Sequence, residues 1–334
     1  MKLFSAALPF VLAASASAFA PAPPSAFRTS SSLSSAALEY DAIVSAGPGV
    51  DAAEFKAKLA ANREKMSEKD KTSKALSKED LNVVFEDEHI IVVDKPAGVL
   101  SVPGRDGNPS MQQAVFDAYG CESGNPGKMI CHRLGMDTSG LMVFARTDHA
   151  LRDLNAQFRT RKVVRKYEAL VCGSVGGESG SVDLPLMMDY ENPPYMIVST
   201  EERQRALIGL DADDVGKKVL ENEKSSLTEY TVVGTEEMGG SPVTRLELTS
   251  VTGRTHQLNV HCAAIGHPIV GDKVYGLGGD AASSGGLEGV GGASAEEQEA
   301  INGAASAMCV HAKSLAFRHP GTREQMSFES KASF

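Results

Sequence analysis

The sequence predicts an α+β fold, with helices flanking a mixed, largely antiparallel sheet. Strand-like apolar segments outnumber helix-like ones and often adjoin each other, whereas a doubly wound sheet would alternate strand with helix. The chain has 334 residues, of which 42% are hydrophobic and 23% charged. This length and composition can supply one large core or two ordinary ones.

The strands and helices follow from local patterns. The predicted strands are 83–85, 90–93, 141–145, 163–171, 227–233 and 244–249. Ser110 can cap a helix that ends at Gly120, apolar spacing predicts another helix over 151–158, and a third over 258–265 stops at Gly266. Residues 199–224 and 277–307 interrupt this pattern as insertions, and the second, rich in Gly and Glu, is expected to be a mobile acidic loop.

The N-terminal residues are predicted to form a targeting segment rather than part of the fold. Residues 1–18 have the layout of a signal peptide, and residues 19–38 are Ser-rich and free of acidic residues, as in a transit peptide. The junction resembles the bipartite presequences that lead through the ER into secondary plastids, so we expect a plastid protein, with plain secretion as the alternative. Residues 39–80 predict a charged extension, with a surface helix near 51–66 and a linker.

Composition excludes several classes of protein. The net charge of −10 and the lack of a long basic run argue against a general nucleic-acid coat protein. The five cysteines form no CxxC pair and are interpreted as small buried hydrophobes. No apolar run after the N-terminus is long enough to cross a membrane, and His256, His261 and His267 lack the spacing of a zinc helix. We therefore expect no metal and no membrane span in the mature protein.

Two polar motifs stand beside apolar segments. Residues 131–141, CHRLGMDTSGL, place a polar cluster directly before a strand, where either a turn or a site is expected. Residues 252–258, TGRTHQL, place Gly253 in a turn and Thr255 where it can cap a helix. Arg254 then stands at a helix entrance, with a guanidinium suited to a carboxylate or phosphate.

These motifs carry a resemblance to the RluA-type pseudouridine synthases, which covers about residues 81–334. The blocks that resemble the family occur in the family order: 94–100 (DKPAGVL), 132–141, 165–171 (RKYEALV), 189–194, 253–276 and 311–320. The resemblance implies the pseudouridine synthase fold and an enzyme that isomerises uridine in RNA. It implies no cofactor, a monomer, and a stem-loop of rRNA or tRNA as partner.

The resemblance also implies site residues. Arg254 is the partner of a catalytic carboxylate, and Tyr167 stacks on the detached base; simple strand packing for Tyr167 and a helix-end carbonyl for Arg254 are the structural alternatives. Residues 128–168 hold nine basic and four acidic residues and predict an RNA-facing strip. The candidate RNA-binding residues are Arg133, Arg161, Lys162, Arg165, Lys166, Thr255 and His256.

One position departs from the family pattern. The family has Asp directly after His-Arg-Leu, but this chain has Gly135 there. Asp137 is the candidate substitute, because in an extended backbone positions 135 and 137 point to the same side, about 6.5–7 Å apart. The alternatives are a catalytically inactive RNA-binding protein on the synthase fold, a secreted hydrolase that shares only the sheet, or an error in the sequence at this glycine.

Overall fold

A computed structural model describes residues 50–334, apart from residues 209 and 222. The predicted signal and transit segments, and the first part of the extension, lie outside the described residues. The described part contains the strands β1 Asn82–Glu86, β2 Ile90–Lys95, β3 Ser139–Ala145, β4 Val164–Cys172, β5 Ser179–Asp183, β6 Leu186–Met188, β7 Met196–Val198, β8 Leu227–Met238, β9 Ser241–Ser250, β10 Val310–Arg318 and β11 Gln325–Glu329.

The main sheet has nine strands and is largely antiparallel, which confirms the predicted class. Its order is β1-β2-β3-β10-β4-β9-β8-β5, with β11 paired to β10. Among the strands of the described residues, the one parallel pair joins β10 to β3, where His311 lies opposite Ser139. Strands β6 and β7 form a separate two-stranded sheet. The parallel pairing matters for the site because it brings the start of β3, just after the polar loop 131–138, to the middle of the sheet.

The helices cover both faces of this sheet. They are α1 Ala52–Asp70, α2 Met111–Tyr119, α3 Asp148–Arg159, α4 Glu201–Arg205, α5 Ala212–Val215, α6 Gln257–Ala264 and α7 Ala295–Ala304. Strand β2 explains the two-sided packing: Ile91 and Val93 pack in the cluster that includes α2 and α6 residues, while Ile90 and Val92 pack in the cluster with α3. A continuous apolar run therefore marks a strand buried on both faces.

The second insertion differs from its prediction. Residues 277–307 do not form a plain loop, because α7 begins with a capping box at Ser294 and Glu297 and buries Ile301 completely. Gly266 also approaches this insertion so closely that a Cβ there would collide with the carbonyl oxygen of Gly291. The predicted loop missed one short capped helix, because the glycine-rich composition gave no helical periodicity.

The start of α6 also differs from its prediction. The residue before the helix is His256, not Thr255, and it has a left-handed backbone (φ 52°, ψ 21°) without a side-chain cap. A left-handed conformation is uncommon for a histidine and is held here by its surroundings. His256 Nδ1 lies 2.8 Å from the Tyr275 hydroxyl, which supplies part of that support.

None of the helices in the described part of the chain is long and apolar enough to cross a membrane. The same residues contain no cluster of three or more potential metal ligands among His, Cys, Asp and Glu. All five cysteines are free; Cys172, Cys262 and Cys309 are buried, and Cys121 and Cys131 are half-buried.

Candidate active site

The loop 132–138 is anchored from below by a buried lysine. Lys95, at the end of β2, is 0% exposed, and its Nζ donates to the carbonyl oxygens of Pro96, Val99 and Met136 at 2.9, 2.8 and 3.0 Å. Burial lowers the pKa of Lys95 to about 7, and the negative charge of Asp137 opposes this shift. The loop is thus fastened to β2 by a side chain rather than by a regular strand pairing.

His132 is a structural residue of the loop. Its Nε2 accepts a hydrogen bond from the backbone N–H of Val143 at 3.0 Å, and its ring stacks on Phe158 of α3 with centroids 4.8 Å apart. Burial, with the positive charge of Arg165, lowers the pKa of His132 to about 3. The imidazole is therefore neutral at physiological pH and fixes the loop against β3 and α3.

Position 135 could accept a side chain. Gly135 is exposed and its φ lies outside the left-handed region, so an L-residue can adopt this backbone. A Cβ built there meets only the Thr138 Oγ1 within 4 Å, at 3.2 Å. The missing carboxylate therefore reflects the choice of residue, not a backbone that demands glycine.

Asp137 does not take up the extended geometry expected from its spacing. Residues 136 and 137 form a turn, closed by a hydrogen bond from the Thr138 N–H to the Gly135 carbonyl at 3.2 Å. In this turn the Asp137 carboxylate, 38% exposed, lies 2.5 Å from the Nζ of Lys69 at the end of α1. Positions 135 and 137 consequently do not share one side of an extended strand.

Strand β4 brings Tyr167 and Arg165 to the same face of the sheet. Tyr167 is 8% exposed, packs in the central core cluster, and its hydroxyl makes no hydrogen bond to any described residue. Burial raises the pKa of Tyr167, and the nearby Arg165 guanidinium partly opposes this. The phenol is therefore protonated at neutral pH.

Arg165 lies inside the site rather than on an open surface. Its guanidinium sits over Phe158, 5.9 Å from the ring centroid, and directly against Gly253, where a Cβ would come within 2.7 Å of Nη2. Its Nη2 also donates to the Ser250 carbonyl at 3.4 Å. A side chain at position 253 would therefore displace the Arg165 guanidinium from this position.

Arg254 lies at the entrance of α6 without a carboxylate partner. Its Nε donates to the Ser225 carbonyl at 3.2 Å, and it forms no ion pair with the described residues. Its guanidinium is therefore not paired with a carboxylate in the part of the chain that the structure describes.

Three basic candidates remain near this region, and one does not. Arg133 is exposed on the loop, and Arg161 and Lys162 are exposed in the turn between α3 and β4, where Arg161 has a left-handed φ of 58°. Lys166 directly precedes Tyr167 on β4, so its side chain points to the opposite face, and its Nζ pairs with Glu247 at 2.7 Å. The predicted basic strip is therefore split between two faces of the sheet.

His256 stands at the entrance of α6. Burial lowers the pKa of His256, and the positive charges of Arg133 and Lys69 add to this lowering while Asp272 opposes it. These side chains therefore share one neighbourhood, although they come from α1, the loop 132–138 and the entrance of α6. The neighbouring Thr255 is exposed.

Sequence patterns missed two residues of this site. Lys95 lies within the DKPAGVL segment, but nothing in its spacing indicated that its ammonium would be buried under the loop. Lys69 lies in a helix whose inward face is mostly polar, so periodicity indicated only a surface helix.

Solved structures share this fold. The human protein described as RNA pseudouridylate synthase domain containing 1 aligns with a TM-score of 0.55 and 24% identity, covering 77% of this chain and 86% of that one. The human protein described as RNA pseudouridylate synthase domain containing 4 aligns with a TM-score of 0.52 and 24% identity, covering 75% of this chain and 88% of that one. These likenesses define the class: a pseudouridine synthase fold.

Sequence comparison narrows the class to a family. The model of the family described as RNA pseudouridylate synthase matches residues 89–264. The chain is 37% identical over 257 residues to the dual-specificity RNA pseudouridine synthase RluA of Pasteurella multocida (strain Pm70), covering 76% of this chain and 94% of that protein. The corresponding protein of Escherichia coli (strain K12) is 34% identical over 256 residues, with 76% and 94% covered. This chain belongs to the RluA family of pseudouridine synthases, which confirms the resemblance.

Proposed function

We propose that this protein isomerises a uridine to pseudouridine in a stem-loop of rRNA or tRNA. The N1–C1′ bond breaks, the uracil turns, and C5 bonds to the same sugar carbon; the proton lost from C5 balances the one that N1 gains. Because no atom or electron is gained overall, the reaction itself requires no redox cofactor. The target uridine must leave its stack to enter the site.

Asp137 supplies the carboxylate in this proposal. The supporting observation is that its side chain, in the turn directly after position 135, is held by an ion pair with the exposed Lys69. An exposed ion pair of this kind is weak and exchangeable. An RNA phosphate can therefore bind the Lys69 ammonium in place of Asp137, which leaves the Asp137 carboxylate free to rotate. A carboxylate is needed to act at the sugar or to help form the intermediate.

The remaining roles fall to Tyr167 and Arg254. Tyr167 has a ring buried beside Arg165 and a hydroxyl without a protein partner, which suits stacking on the base and a proton transfer. Arg254 has a guanidinium that no described carboxylate occupies, which suits an anionic group of the substrate or of the reacting carboxylate.

A second candidate function is an RNA-binding protein without isomerase chemistry. Gly135 favours it, since catalysis is sensitive to misplacement of about 1 Å and the 135–138 turn does not put Asp137 where a side chain at 135 would be. In this candidate the fold and its basic residues serve recognition alone.

One experiment separates the two candidates. The full chain is incubated with uridine-labelled rRNA and tRNA, and pseudouridine is counted by mass spectrometry. We expect product from the wild type and a loss of product in Asp137→Asn. Asp106→Asn is the matched control, because Asp106 is also tied to α1, through Ser67, but lies outside the catalytic loop. Salt-sensitive RNA binding without product would establish the second candidate instead.

We also propose that residues 1–38 direct the protein into a plastid through the ER. The support is the layout of a signal peptide followed by an acid-free, Ser-rich segment. Fused to a fluorescent protein, this segment should deliver it to plastids of an alga with secondary plastids. Export of the fusion to the medium would favour the secretory alternative.

A further inference from the structure

Helix α1 lies outside the region that the family model matches, yet it contacts the site. The match begins at residue 89, and α1 ends at Asp70. At about 1.5 Å per residue its 19 residues span roughly 28 Å. Its N-terminal end buries Phe55 against Val215 and Val219 of the first insertion, and its C-terminal end reaches the catalytic loop.

The inward face of α1 changes from apolar to cationic along its length. After Phe55, Asn62 donates to the Pro193 carbonyl at 2.7 Å, Lys65 pairs with Asp280, and Lys69 pairs with Asp137. Positions 62, 65 and 69 lie on one face at helical spacing. The helix therefore directs two ammonium groups toward the loops around the site.

These two lysines differ from others on the same helix. Lys58 pairs with Glu54 and Lys71 with Glu68, both within the helix and its cap. Lys65 and Lys69 instead reach across to separate loops, and their side chains remain 63% and 47% exposed. Their pairs with aspartates are thus open to solvent and to a competing anion.

Lys69 also stands with the predicted RNA-binding residues. Its positive charge and that of Arg133 both lower the pKa of His256 at the entrance of α6. Lys69 also pairs with Asp137, four positions after Arg133 on the same loop. Polyanionic RNA is the partner whose repeated phosphates match cations placed in a row.

We propose that α1 is an additional wall of the RNA cleft and that Lys65 and Lys69 bind phosphates of the bound RNA, exchanging their aspartates for them. The proposal rests on the proposed RNA site. It assigns RNA recognition to a helix that precedes the matched region.

The test measures RNA binding by the full chain, using a synthetic stem-loop with uridines in its loop, over a series of salt concentrations. Each phosphate contact contributes about 0.7–0.9 to the slope of log K against log salt. We expect Lys65→Gln with Lys69→Gln to lower the slope by about 1.4–1.8. Lys58→Gln with Lys71→Gln, on the same helix, is the matched control and should leave the slope unchanged.

A further variant distinguishes two roles of Lys65: direct contact with an RNA phosphate, and neutralisation of the Asp280 carboxylate. In Lys65→Gln with Asp280→Asn both charges of the pair are removed. If Lys65 binds phosphate, the slope stays about 0.7–0.9 lower than in the wild type; full recovery would overturn direct contact. An unchanged slope, or tighter binding, in the protein with Lys65→Gln and Lys69→Gln would overturn the proposal that α1 binds the RNA. Absence of any salt-dependent binding by the wild type would instead remove the proposed function on which it rests.

Discussion

The buried ammonium of Lys95 donates a hydrogen bond to the carbonyl oxygen of Met136, 3.0 Å away, in the middle of the loop 132–138. The backbone N–H of Gly98 donates to the same oxygen at 2.9 Å. Met136 lies between Gly135 and Asp137, so the two bonds fix the turn that decides where a carboxylate of this loop can point. The loop is thereby tied to β2 and to the turn that follows it.

We expect Lys95→Met to loosen this loop and to lower the free energy of unfolding. The carbonyl oxygens of Pro96 and Val99 would lose their donor, whereas that of Met136 would keep the Gly98 N–H. Each unsatisfied group costs about 1–3 kcal/mol, offset in part by relief of the buried charge. A net loss of about 2 kcal/mol in denaturant unfolding at neutral pH is expected. Lys128→Met, at an exposed position, is the control and should change little.

The same lysine predicts a pH dependence of stability. Its pKa falls from 10.5 to about 7 on folding, so between these values the unfolded chain holds a proton that the folded chain has released. Stability should therefore rise with pH over this window, by at most about 1.4 kcal/mol per pH unit. Unfolding curves of the wild type and Lys95→Met should diverge as the pH rises above about 7. Parallel curves would contradict the lowered pKa.

Gly253→Ala should destabilise the protein through Arg165. The added Cβ would come within 2.7 Å of the Arg165 Nη2, so the guanidinium would have to leave its position over Phe158 and its hydrogen bond to the Ser250 carbonyl. Overpacking of this kind costs about 1–3 kcal/mol. Thermal or denaturant unfolding measures the loss, and Gly176→Ala, whose Cβ would meet nothing within 4 Å, provides the baseline. The loss should shrink when Arg165→Ala is combined with Gly253→Ala.

Tyr167→Phe should separate chemistry from folding. Because the hydroxyl makes no hydrogen bond to a described residue, its removal should leave stability and RNA affinity close to those of the wild type. Pseudouridine formation should fall by about 10²-fold if the hydroxyl transfers a proton. An unchanged single-turnover rate would restrict Tyr167 to stacking.

Gly135→Asp should raise pseudouridine formation. The backbone at Gly135 accepts an L-residue, the nearest obstacle is the rotatable Thr138 hydroxyl, and Arg254 has no carboxylate partner among the described residues. If Asp137 is misplaced by about 1 Å relative to such a group, the gain is about a hundredfold. Gly135→Asn is the uncharged control of similar size. Equal rates of pseudouridine formation in Gly135→Asp and the wild type would contradict this prediction. They would mean that Asp137 already supplies the catalytic contribution of a carboxylate at position 135.

The sequence by itself determined the class of fold, the family and the strand that carries Tyr167. Apolar runs such as 90–93 identify strands that are buried on both faces. The ordered blocks around Tyr167 and Arg254 identify the family. Both signals lie in residues that are close together along the chain, so the sequence alone contains them. The glycine at position 135, where the family has Asp, is also read directly from the sequence.

Only the tertiary structure decided which charged groups meet. Strand alternation turned Lys166 away from Tyr167 and toward Glu247, the turn at 136–137 removed Asp137 from the side expected of an extended strand, and α1 brought Lys69 to it from 68 positions away. Composition could not reveal the helix in the second insertion, nor spacing the buried ammonium of Lys95. Such contacts depend on long-range packing and on burial, which local periodicity does not encode.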